Sequence, residues 1–164
     1  NSEFHLFEPN PDFIDALHEK AKYISNFGLI VWVHQLAVGT EIKKSEFNLT
    51  EGGWGSSLIA EKKEDFIDTI EVQEIDFLGF LRSFELREQS NQRLHIKLDI
   101  EGGEYRVLEQ MFQNGVPLEV KSLSVEFHKD FMESTHNEWW QKYAYTCLNL
   151  ERNNVTFNWW PGEW

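Results

Sequence analysis

The run Ile96-Lys97-Leu98-Asp99-Ile100-Glu101-Gly102-Gly103-Glu104 holds, in order, a strand, an acid, a glycine turn and a helix start. Ile96 and Leu98 alternate with Lys97 as strand residues do, and Gly102-Gly103 reverse the chain. Tyr105, Val107, Leu108, Met111 and Phe112 then recur at helical spacing until Gly115 and Pro117. A strand that runs straight into a helix belongs to an α/β layer structure, which narrows the possible folds sharply. A second unit of the same kind opens the chain. Glu3-Phe4-His5-Leu6-Phe7-Glu8 reads as a strand, Asn10 as an N-cap and Pro11 as a first helical residue. Phe13, Ile14, Leu17, Ala21 and Ile24 predict a helix from about Pro11 to Ser25, stopped by Asn26 and Gly28. Both units bring a carboxylate to the carboxyl end of a strand, where open α/β sheets bind ligands.

The remaining segments continue the alternation. Leu29-Ile30-Val31-Trp32-Val33 reads as a strand buried on both faces and leads through His34 and Gln35 to Leu36-Ala37-Val38-Gly39. Ile42 to Leu49 suits an edge strand, Asp68 to Gln73 a further strand, and Ile75 to about Leu86 a short amphipathic helix. Glu61 to Asp65 is a charged turn and Arg87 to Arg93 a polar connection. Val120 to Phe127 predicts a strand, Thr135 to about Arg152 a helix, and Val155 to Trp160 a last strand. The expected fold is one α/β domain over residues 1–164, with a mainly parallel sheet and helices on both faces.

Charge and cysteine content exclude several partners. A formal charge of −13 disfavours a nucleic-acid backbone, which needs clustered Lys and Arg, but leaves a cationic ligand open. Cys147 is the single cysteine, so no internal disulfide forms, and a reducing compartment, hence a cytoplasmic location, is the expectation. No apolar run reaches the roughly 18 residues of a membrane span. The sequons Asn48-Leu49-Thr50 and Asn154-Val155-Thr156 are short enough to arise by chance.

The candidate chemistry lies at the strand ends. Glu8 could accept two ribose hydroxyls or could simply cap the following helix. Asp99, Glu126 and His128 converge on one rim if consecutive strands neighbour each other. His128 could then act as a general base near neutral pH. Glu101 and Glu104 could do no more than complement a helix dipole, which is the favoured reading of Glu104. Asp99, Glu101, Glu126 and His128 could hold Mg or Mn, but no dedicated ligand spacing supports it, and no metal is expected. The loop Gly52-Gly53-Trp54-Gly55-Ser56-Ser57 lacks the Gly-Lys-Ser/Thr of a phosphate loop and reads either as a lid touching ligand or as a plain turn. Trp139, Trp140, Trp159, Trp160 and Trp164 read as core or interface rather than a sugar platform.

Phe7-Glu8-Pro9-Asn10-Pro11, Leu36-Ala37-Val38-Gly39, Ser56-Ser57-Leu58, Lys97-Leu98-Asp99-Ile100-Glu101-Gly102-Gly103-Glu104 with Val107-Leu108, and Val125-Glu126-Phe127-His128 follow one another at these gaps. Together they resemble the FkbM-type methyltransferases over about residues 4 to 130. The resemblance implies a Rossmann-like class I fold and an S-adenosylmethionine-dependent enzyme that methylates a hydroxyl of a sugar, polyketide or similar small molecule. It implies that Glu8, with Asn10 beside it, holds the cofactor ribose, and that Ala37 and Val38 lie near the adenine. Asp99 and Glu101 fall to the methionine end, and Asp99, Glu126 and His128 to the acceptor and its proton. The family's first strand and its glycine-rich loop have no counterpart in these residues, so a sheet without its first strand, truncated at the N-terminus, is the expectation. That departure keeps a second reading open, a non-catalytic binding or assembly module on the same scaffold. A nicotinamide-dependent enzyme is weaker still, because no Gly-x-Gly-x-x-Gly stretch is present. The acceptor is not named by the sequence, and a homo-oligomer is compatible with it.

Overall fold

A computed structural model describes residues 2–53, 55–60, 66–84, 92–128 and 136–159. The chain runs β1 (Glu3–Phe7), α1 (Pro11–Ser25), β2 (Ile30–His34), β3 (Ala37–Gly39), β4 (Lys43–Thr50), β5 (Phe66–Asp76) and α2 (Phe77–Arg82). It continues with β6 (Leu94–Leu98), α3 (Glu104–Asn114), β7 (Val120–Val125), α4 (His136–Arg152) and β8 (Thr156–Trp159). This is a mixed α/β structure in which parallel pairing predominates. β1 pairs with β2, β3 with β5, β6 with β7 and β7 with β8, all parallel, while β4 and β5 form the one antiparallel pair among the described residues.

Local chemistry explains the boundaries. Asn10 caps α1 by accepting the Asp12 N–H at 3.0 Å, Pro11 occupies the first turn, and Gly28 follows the helix at φ 80°. Asn26 closes the other end, its N–H directed at the Ile24 and Tyr23 carbonyls. At the end of α3 the Arg82 guanidinium, from α2, donates to the Asn114 carbonyl at 2.5 Å. That contact supplies a partner for one of the carbonyls a helix end leaves open.

The main core lies where β6 and β7 meet α2, α3 and α4. Leu98, Val107, Leu108, Met111, Leu123, Val125 and Leu150 are buried there. Phe7 of β1, Val38 of β3 and Ile75 of β5 pack against the same cluster, so the three sheets share one apolar body. A smaller cluster of Ala37, Phe47 and Val72 seals β3, β4 and β5 together. Each fully buried aliphatic side chain stabilises by roughly 1.5–3 kcal/mol relative to exposure.

Two expectations are corrected. The run Leu29–Val33 reads as buried on both faces, yet Ile30 is 37% and Trp32 52% exposed. α1 packs against β2, and on the face shared by Trp32, His34 and their neighbour His5 the rings of Phe80 and Phe84 reach His5 and the Phe80 ring reaches His34, but they leave Ile30 and Trp32 partly exposed. The segment from Ile75 reads as helical, yet β5 continues through Asp76 because Glu74, Ile75 and Asp76 pair with Ala37, Val38 and Gly39. Strand pairing overrides the local helical spacing there. Trp159 is half-exposed beside Tyr143, with ring centroids 5.5 Å apart. The expectations for Trp54, Trp160, Trp164, the Glu61–Asp65 turn, the Arg87–Arg93 connection apart from its last residues, and the side chains of Trp139 and Trp140 fall outside the described residues. No helix among the described residues is long and apolar enough to cross a membrane.

Leu108 is 1% exposed within the main core. Leu108→Ala is expected to lower the unfolding free energy by about 2–5 kcal/mol, because the cavity it leaves adds to the lost transfer energy. Urea titration checks this, and a change under about 1 kcal/mol would contradict the core assignment.

Candidate active site

The site begins with the register of β6 on β7. Leu98 stands opposite Val125, and the Glu126 N–H still donates to the Leu98 carbonyl at 2.9 Å. Asp99 and Glu126 therefore emerge side by side where the two strands end, and His128 follows two residues on. The expected convergence of these three residues is what the geometry has. His128 Nε2 lies 3.3 Å from a Glu101 oxygen and 3.9 Å from oxygens of both Asp99 and Glu126. Its Nδ1 lies 2.8 Å from Glu104 Oε1. Lys97 Nζ donates to the other Asp99 oxygen at 3.0 Å.

Glu104 is the residue that the dipole reading undervalues. It is 0% exposed and collects donors from the turn before α3. The Ile100 N–H donates to it at 2.9 Å, and the Gly102 N–H lies 3.1 and 3.3 Å from its two oxygens. A buried carboxylate needs such donors to offset lost hydration. The turn itself is held from the far side, where Ser57 Oγ donates to the Glu101 carbonyl at 2.6 Å. Glu101 sits at φ 54°, a left-handed conformation that a non-glycine residue adopts only when its surroundings fix it.

These contacts shift the titrations. Burial works against the charged form of His128, but the Glu104 hydrogen bond and the charges of Glu104, Glu101 and Asp99 together outweigh it. The imidazole pKa therefore lies above the usual histidine value. Burial, and then the neighbouring Asp99 carboxylate, push the Glu126 pKa up against the opposing pull of His128 and Lys97. The oxygen atoms of Asp99 and Glu101 and a nitrogen of His128 lie within 4.8 Å of one another, near enough to receive a cation. A protonated imidazole would satisfy the same carboxylates.

Beside this cluster lies a cavity of about 350 Å³, within the range of small-molecule sites. Glu8, Ala37 and Val38 line it with Asp99 and Glu101, joined by Phe13 and Leu17 of α1. Gly53, Gly55 and Ser56 also line it, so the glycine loop forms part of the cavity wall. A Cβ at Gly53 would stand 2.6 Å from the Phe13 ring, and the residue has φ 81°, which together explain glycine there. Glu8 is fixed at both ends. Its N–H donates to the His34 carbonyl at 3.0 Å, and one of its carboxylate oxygens accepts the Asn10 N–H at 2.7 Å. Burial raises the Glu8 pKa, partly offset by that N–H. Asn10, 2% exposed, does not line the cavity and serves as the cap of α1.

The raised His128 pKa has a definite sign for stability. The favourable contacts of the charged ring are fully present below the unfolded value of about 6.5 and are lost as pH rises through the higher folded value. The stability difference between the wild type and His128→Gln should therefore shrink as pH rises across that window. Urea denaturation of both proteins at a series of pH values measures it, and a difference that grew with pH would contradict the charge assignment.

The family model for the methyltransferase FkbM domain matches residues 1–149. No curated protein and no solved structure matches the chain. With 149 of 164 residues covered, the chain belongs to the FkbM methyltransferase domain family.

Proposed function

We propose that this methyltransferase uses S-adenosylmethionine and transfers its methyl group to a hydroxyl of a small molecule such as a sugar or polyketide. The observation that carries this reading is the joined arrangement of the cavity and the His128 cluster. One wall of the cavity holds Glu8, and Asp99 and Glu101 belong to both the cavity and the cluster. The residues fit such a cofactor. Ala37, Val38, Phe13 and Leu17 offer apolar surface to a purine, and Glu8 offers a carboxylate oxygen with no hydrogen-bond partner among the described residues to ribose hydroxyls. Asp99 and Glu101 would hold the amino-acid end, with Ser56 and the glycine loop alongside. The acidic surroundings favour a cationic ligand.

When bound, the cofactor supplies a methyl group on a positively charged sulfur. The protein's part is positioning and proton removal. In-line displacement gains mainly from holding the reactants in place. A hydroxyl nucleophile must lose its proton, and His128 Nε2 is the group suited to take it, with Asp99 and Glu126 beside it. The parallel ladders of β1 on β2 and of β6, β7 and β8 are consistent with a Rossmann-like class I sheet, each acid-tipped strand leading on to a helix.

Isothermal titration with S-adenosylmethionine, or with its demethylated product, tests the reading. Saturable binding is expected. Glu8→Ala is expected to weaken it at least about tenfold, because hydrogen bonds to a charged group contribute about 1.5–3 kcal/mol. No binding by the folded wild type would overturn the cofactor assignment. Unchanged affinity in Glu8→Ala would remove Glu8 from the site.

A further inference from the structure

We infer that Glu104 is a positioning residue for the transfer, holding the His128 ring with its proton on Nδ1 so that Nε2 is the accepting atom turned toward Asp99, Glu101 and Glu126. The inference rests on the methyltransferase reading of the site and adds a residue and a tautomer to it.

The geometry argues it in three steps. First, the Glu104 oxygens face donors: the Ile100 and Gly102 N–H groups point into them. Oε1, which accepts from Ile100, also stands 2.8 Å from His128 Nδ1. A carboxylate oxygen surrounded in this way is an acceptor, so Nδ1 must carry the hydrogen. In a neutral imidazole, the other nitrogen is then the one with the lone pair. Second, a dipole-complementing acid needs neither burial nor a distant partner. Glu104 has both, being 0% exposed and bonded to a residue 24 positions away beyond a different strand. Third, Nε2 is surrounded by oxygens of Glu101, Asp99 and Glu126 at 3.3–3.9 Å. A proton arriving there converts an unfavourable lone pair facing anions into a stabilised imidazolium. The proton leaves the acceptor oxygen, its bonding pair staying on that oxygen, and the new N–H bond forms at Nε2. This is the logic of a base oriented by a third group, applied to methyl transfer.

The same carboxylate holds Ile100 and Gly102, which flank Glu101. Glu104 thus sets the base and the wall of the cavity together.

Nitrogen-15 NMR of histidine side chains in the full chain tests the assignment, with His128 identified by its loss in His128→Gln. At a pH where the ring is neutral, the wild type should show the protonated type of resonance at Nδ1 and the unprotonated type at Nε2. In Glu104→Gln, checked for folding by circular dichroism, the dominance of that tautomer should be lost. A merely structural Glu104 would leave the tautomer of a folded variant unmoved, and that result overturns the inference. So does a wild-type ring protonated at Nε2, a result that does not depend on how Glu104→Gln folds. Titration with the demethylated cofactor on the same samples reads the cofactor assignment separately, since it can succeed while the tautomer result fails.

Discussion

The buried Glu104 carboxylate is the interaction on which the site depends. An acid with no solvent exposure survives only where donors replace its water. Those donors come from the turn between β6 and α3 and from His128 beyond β7. The start of α3, the left-handed Glu101 and the orientation of the imidazole are therefore one coupled arrangement. Ser57 adds a fourth segment by taking the Glu101 carbonyl from the opposite side. The loop after β4 is thereby tied to the loop after β6, and the cavity between them has a fixed wall.

Electrostatics follow from that packing. Several carboxylates crowd one imidazole, and the system relieves the crowding by holding protons. His128 and Glu126 each retain a proton to higher pH than the isolated side chains do. These are linked titrations, so the proton inventory of the cluster belongs to the group and not to one residue.

Much of this was legible in the residues. Asn10-Pro11 marked the start of α1, and Gly102-Gly103 the turn before α3, because capping and turn chemistry are local. Asp99, Glu126 and His128 could be expected at one rim because their strands are consecutive. The division into three sheets could not be read, since pairing is non-local and β5 extends only by meeting β3. The exposure of β2 was hidden for a related reason: an apolar run states what a strand could bury, not what is packed against it. Glu104 carried a signal that the dipole reading passed over. Val107, Leu108 and Met111 follow it at three, four and seven residues, which places Glu104 on the apolar face of α3. An acid on that face must have partners, and the segment after β7 supplies a histidine.

The two acids that end β1 and β7 show how the sheet aims its chemistry. Glu8 donates its N–H to His34, and Glu126 donates its N–H to Leu98, each one residue past its own strand. Each acid is thus still fixed by a ladder hydrogen bond to the neighbouring strand while its side chain is clear of the sheet. The backbone is as rigid as the sheet, and the carboxylate is free to be set by what lies beyond. For Glu8 that is the Asn10 N–H and the cavity. For Glu126 it is Asp99 and His128. One structural device, repeated on two strand pairs, therefore yields two environments: a largely apolar cavity wall, and a crowded acidic rim around one imidazole.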